Sequence, residues 1–236
     1  MNTEMLAIVA EEHGLVFRGG FLVTDADNVP AQATGEPSTS LLLFGQAGNS
    51  IWPQFSRSSE LADGQPHPMD RWSKRIGSLL AKSLGGQLLL PFGDAPHHPF
   101  ISWAMRAEDV QPSRLGMLIH PVHGLWHAYR FAITLAEPVS GLAQVQSSKR
   151  ICDSCNDKPC LTTCPVNAFD GTSYDVQLCV EYLRDNPECA CRASGCVARD
   201  ACPEGQNSRY DKEQRQFHMQ QFLYAMTPRI PTNNET

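Results

Sequence analysis

No cysteine precedes Cys152, so the first part of the chain can form neither a disulfide nor a thiolate metal site. Long apolar runs are missing as well. The aliphatic stretches are short, like Leu41-Leu42-Leu43-Phe44, against the roughly 18–20 residues a membrane span needs, so no membrane partner is expected. There is no basic excess: 19 Lys and Arg stand against 25 Asp and Glu, a net charge of -6. A broad face for duplex nucleic acid is therefore not expected. The motifs G-x-G-x-x-G, the P-loop, H-E-x-x-H and G-x-S-x-G are all absent. Glu4, Glu11 and Glu12 occupy the N-terminal stretch, which lacks the basic-then-apolar order of a signal peptide; the cytoplasm is the expected compartment.

What remains is a chain of 236 residues with 42% hydrophobic and 19% charged residues. That balance supports a real core and excludes disorder of the whole chain. All nine cysteines fall between Cys152 and Cys202. Such clustering marks a separate chemical unit. With no export signal the thiols stay reduced, and metal binding is favoured over disulfides.

Periodicity and punctuation predict a helix over 3–13 with Thr3 as cap, then short strands at 21–24 and 41–44. Residues 49–68 read as a long loop. Asp70 is expected to cap a helix over 71–84, on which Trp72, Ile76, Leu79, Leu80 and Leu84 recur at helical spacing before Gly85-Gly86. A strand at 87–92, an aromatic and histidine-rich loop at 94–103 and strands at 115–120 and 125–135 follow. This mixture predicts an α+β or α/β class. Residues 139–148 read as a linker, and 211–225 as a terminal helix followed by a loose tail.

The cysteine region opens as Cys152-x2-Cys155-x4-Cys160-x3-Cys164-Pro165. This is close to the bacterial ferredoxin run, with two extra residues in the middle gap. In that run three cysteines hold one cubane cluster and the fourth ligates the other. Cys179, Cys189, Cys191, Cys196 and Cys202-Pro203 follow. The exchange rule gives the first cluster Cys152, Cys155, Cys160 and Cys202. The second takes Cys164, Cys179, Cys196 and either Cys191 or Cys189. Cys191 is preferred because Cys191-x4-Cys196 repeats the Cys155-x4-Cys160 spacing. Two structural zinc sites are the bland alternative, but two Cys-Pro endings fit iron–sulfur better.

This cysteine pattern, with Cys179-Val180-Glu181-Tyr182-Leu183, resembles the ferredoxin domain of epoxyqueuosine reductases and reductive dehalogenases. Upstream, His120-Pro121-Val122-His123-Gly124-Leu125-Trp126 is similar to a motif of the cobalamin-processing protein of methylmalonic aciduria type C. The resemblance implies an α+β chain: a nitroreductase-like α/β domain over 1–148, a ferredoxin-like dicluster [4Fe-4S] domain over 149–210, and a C-terminal helix and tail over 211–236. It also implies a flat cofactor, cobalamin or flavin mononucleotide, walled by His120, His123, Gly124, Trp126 and Trp103. The clusters would pass electrons to it from a donor such as a flavodoxin, ferredoxin or reductase. Val122 stands where epoxyqueuosine reductases carry an acidic residue, and Leu125 where the processing protein has its second glycine. Reduction of a tRNA base is therefore not implied. A non-enzymatic electron carrier, or a cluster-stabilised structural protein, is the alternative reading.

Overall fold

In the computed structural model, residues 1–145 and 150–229 are described. The end of the expected linker at 146–149 and the expected tail from 230 lie outside the described residues.

Helix α1 (Thr3–Glu11) is capped by Asn2, whose side chain accepts from the Met5 N–H, rather than by Thr3. Leu6 and Ala10 are its buried face; Met5 and Ile8 are exposed. Strands β1 (Val16–Leu22) and β2 (Ser40–Ala47) follow, both longer than the apolar runs alone suggest. Polar residues extend β2 because they find partners: Ser40 is fully buried and its hydroxyl donates to the Glu137 carbonyl at 3.0 Å. The expected loop after β2 contains two single-turn helices, α2 (Trp52–Phe55) and α3 (Ser59–Ala62). Helix α4 (Pro68–Leu84) begins three residues earlier than expected. Its N-cap is His67 in a left-handed conformation, with Pro68 in the first turn, so Asp70 does not cap it. Asp70 instead faces Arg130 at 3.6 Å.

β3 (Gln87–Leu89) is short, and α5 (Phe100–Ala107) takes up the end of the expected aromatic loop. Its buried Phe100, Trp103, Ala104 and Ala107 have the i, i+3, i+4, i+7 spacing of a helix face. β4 (Gln111–Pro112) and β5 (Leu118–Ile119) form a two-residue hairpin ladder where one longer strand was expected. β6 (His127–Leu135) completes the main sheet, in the order β1-β2-β6-β3 with every pair antiparallel. The architecture is α+β.

The cysteine region is helical: α6 (Ile151–Ser154), α7 (Pro159–Thr162), α8 (Val176–Asp185), α9 (Ala190–Ser194) and α10 (Val197–Asp200) precede the terminal α11 (Lys212–Met226). Asp211 caps α11, accepting from the Gln214 N–H at 2.9 Å. The chain divides into two compact units, Met1–Val110 with His127–Ser148, and Gln111–Trp126 with Lys149–Thr236. The first is built on the sheet, with Leu41–Phe44 and Phe131–Ile133 at its centre and the buried face of α4 among its core. In the second, Leu115, Ile119 and Leu125 share one core with Cys164, Ala168, Phe169, Ala198 and Cys202. Among the described residues no helix is long and apolar enough to cross a membrane.

Candidate metal centre

The short helices of the cysteine region act as brackets. Each is a turn or so long, and the thiols fall at or beside their ends. Cys152 lies on α6, Cys155 just after it and Cys160 on α7. With Cys202 from beyond α10, these three thiols line one cavity, which Ile119, Ile151, Pro203, Arg114, Lys158 and Glu204 also line. Cys202, 42 to 50 positions further along the chain, is thus brought to the same cavity as the other three. Burial pushes the Cys160 thiol up, and its neighbours Cys152 and Cys155 push it further. Cys202 is raised by burial as well, and Cys160 and Cys152 act on it in the same direction.

Cys164 leaves this group. Its sulfur accepts from the Ala168 N–H at 3.4 Å, and its electrostatic neighbours are Cys179 on α8 and Cys196 at the cap of α10. Burial pushes Cys179 up, and a hydrogen bond from the Tyr174 hydroxyl opposes it. Burial pushes Cys191 up to about 11, with Cys196, Cys189 and Cys179 adding to the rise. Cys196 is raised by burial against the pull of the Arg199 and Ala198 amides and the Arg199 charge. Cys189 is half-buried at the cap of α9, near Cys179 and Cys191 and beside the Tyr182 hydroxyl.

The structure places Cys152, Cys155, Cys160 and Cys202 on one cavity, and Cys164, Cys179, Cys189, Cys191 and Cys196 as electrostatic neighbours of one another. Among the described residues, no three His, Cys, Asp or Glu side chains form a site for a single metal ion. The chemistry of the donors fits a cluster. Buried thiols with raised pKa repel one another as thiolates, and a polynuclear cation relieves that repulsion while deprotonating them. Amide and hydroxyl donors to sulfur are the groups that tune iron–sulfur potentials. Tyr174 and Arg199 carry no spacing signature and are not legible in the sequence as part of this site.

The expected wall for a flat cofactor is different. His120 turns back on its own loop, its Nδ1 accepting from the N–H groups of Val122 and His123 at 3.0 and 3.1 Å. His123 stacks on it with ring centroids 4.7 Å apart and reaches the Ser208 hydroxyl through Nδ1. Gly124 has φ +53, and a Cβ there would lie 2.1 Å from the Glu204 carbonyl oxygen. Trp126 is 1% exposed; it meets Tyr210 edge-on, and the Arg199 guanidinium lies over its ring at 4.4 Å. Trp103 belongs to the other unit, is equally buried, and donates from its indole N–H to the Asp27 carbonyl at 2.8 Å. His120 and His123 turn into local contacts, and Gly124, Trp126 and Trp103 are buried.

No protein-family model matches the sequence, and neither does any curated protein. Among solved structures the chain is similar to the C. elegans B12-trafficking protein CblC, a human MMACHC homologue. The TM-score is 0.52 at 12% identity, covering 99% of this chain and 97% of that one. The two share a fold. The chain is also structurally similar to epoxyqueuosine reductase, with a TM-score of 0.47 at 16% identity over 76% of this chain. It spans 52% of that enzyme's length.

Proposed function

We propose that this chain is an iron–sulfur redox protein of the reductase type, passing electrons through two [4Fe-4S] clusters toward a corrinoid or flavin. The observation that carries it is the convergence of Cys152, Cys155 and Cys160 with the distant Cys202 on one apolar cavity. The second set, Cys164, Cys179, Cys191 and Cys196, would hold the other cluster. A cubane supplies one-electron chemistry at a potential set by its surroundings. This chain's own residues do the rest. Eight thiolates would hold the metals, Ile119, Ile151 and Pro203 would limit water beside the first set, and Arg114 and Lys158 would offset the negative charge of its thiolates and of Glu204. Tyr174 and the Ala168 amide donate to sulfurs of the second. The corrinoid part of the reading is supported by the fold shared with a B12-trafficking protein. The inward-turned His120 and buried Trp126 favour a second reading, an electron carrier that hands its electrons to another protein.

Anaerobic reconstitution followed by metal and sulfide analysis tests the core of the proposal. About eight irons and eight sulfides per chain are expected for two cubanes; four of each would leave one site, and zinc without sulfide would overturn the proposal. Titration of the loaded protein with cob(II)alamin and with flavin mononucleotide separates the two readings. Binding of either at tens of micromolar, equivalent to roughly 6–7 kcal/mol, supports the reductase. Absence of both assigns the carrier.

A further inference from the structure

We propose that the cavity framed by Arg114 and Arg150 beside Cys152 binds a small oxyanion, a phosphate- or carboxylate-bearing molecule. The cavity measures about 360 Å³, within the roughly 300–1,000 Å³ typical of small-molecule sites. It lies wholly inside the cysteine-bearing unit, between the β4–β5 hairpin, α6 and the turn at Gly171-Thr172.

Its charge is unusual for this protein. The chain as a whole is acidic, yet the lining holds two guanidinium groups and a single carboxylate, that of Asp153. Asp153 meets Arg114 at 3.5 Å, and both side chains are well exposed, so the pair is loose and leaves most of the Arg114 donors unused. Arg150 is freer still: among the described residues no hydrogen bond or ion pair engages its guanidinium. Two planar donor forks facing a concave space match the geometry of a phosphate or carboxylate, which each guanidinium can grip through two parallel N–H bonds. Concavity favours a small molecule over the flat acidic face of a protein.

Cys152 lines this cavity and also the one shared by the first thiol set, and Arg114 borders both. An anion held by Arg114 and Arg150 would therefore place negative charge next to a candidate cluster ligand. Binding does not depend on the cluster reading; only its spectroscopic echo does.

The test is calorimetric titration of the full reconstituted chain, in low-chloride buffer, with inorganic phosphate and separately with succinate. One saturable site is expected, with a Kd below about 1 mM for at least one of them. Phosphate alone would assign a phosphate-bearing ligand, succinate alone a carboxylate. Arg150→Ala should weaken binding at least about tenfold, a change of roughly 1.4 kcal/mol, while Arg57→Ala, which removes a guanidinium that does not line the cavity, should not. Arg150→Lys should restore part of the affinity by keeping the charge and losing the fork. Circular dichroism and iron content matching wild type certify that the variants fold. Ligand-induced change in the first cluster's electron paramagnetic resonance signal would add the link to Cys152. No saturable heat with either anion to about 10 mM, or undiminished affinity in Arg150→Ala, overturns the proposal. A chain that binds the anion but holds zinc would overturn the redox reading and leave this one standing.

Discussion

Gly124 and Gly205 meet back to back. A Cβ on Gly205 would fall 2.2 Å from the His123 carbonyl carbon, and both glycines have positive φ. Gly124→Ala is therefore expected to cost about 1–3 kcal/mol through conformation and contact together, read as a lower midpoint in chemical denaturation. Gly124→Ala/Gly205→Ala together should cost less than the sum, since the first substitution already parts the strands of chain. Arg199 also joins several parts of its surroundings. Its guanidinium lies over the rings of Trp126 and Tyr210, at 4.4 and 4.8 Å, and donates to the Leu125 carbonyl. It also stabilises the thiolate of Cys196. Arg199→Gln should lower the midpoint potential of the second cluster while leaving the first unchanged, as followed by potentiometric titration, because one nearby positive charge favours the more negative, reduced state. The cysteines were legible because ligand chemistry demands them at set spacings. Gly124 was legible only as a close approach. A motif cannot say whether the approaching body is a ring or the Glu204 backbone.

Among the elements, helical periodicity survived well, and boundaries did not. α4 and α11 stand near their expected places because each buries a recurring face or carries a cap. The first half of α5 falls within the expected loop at 94–103, although its buried positions have helical spacing. α2 and α3 are single turns, too short for any period to show. The N-caps shifted where a neighbour was better placed: Asn2 in place of Thr3, His67 in place of Asp70. Asp211→Ala, at a cap that the structure does show, should cost about 1 kcal/mol. On α9, Cys191 is buried and Cys189 sits at the cap, so Cys191→Ser should lose a cluster and Cys189→Ser should retain about eight irons. The opposite pattern would exchange their roles.

Over the whole molecule, Asp27 and Glu60 should both contribute acid sensitivity to the sheet-bearing unit, and Asp27 shows how. Burial pushes its carboxyl up, but Thr24, through backbone and side chain, and Arg106 outweigh this and hold it below its ordinary value. A depressed folded pKa contributes stability above the unfolded value, near pH 4, and that contribution is lost as pH falls through the folded one. Asp27→Asn should thus be less stable than wild type at pH 7, and the gap should narrow below about pH 4 in denaturation curves.

The hairpin of β4 and β5 carries a consequence for how such a chain could have been assembled. Leu115, Ile119 and Leu125 come before the last strand of the sheet in sequence, yet they close the core around Cys164 and Cys202. The thiol-bearing part is thus not a cassette that could be cut out at residue 149 and transplanted. Severed there, it would lose the apolar residues packed against its own thiols and the glycine crossing that seats Glu204. A transplant of the cysteine region would therefore have to carry the sixteen residues Gln111–Trp126 with it.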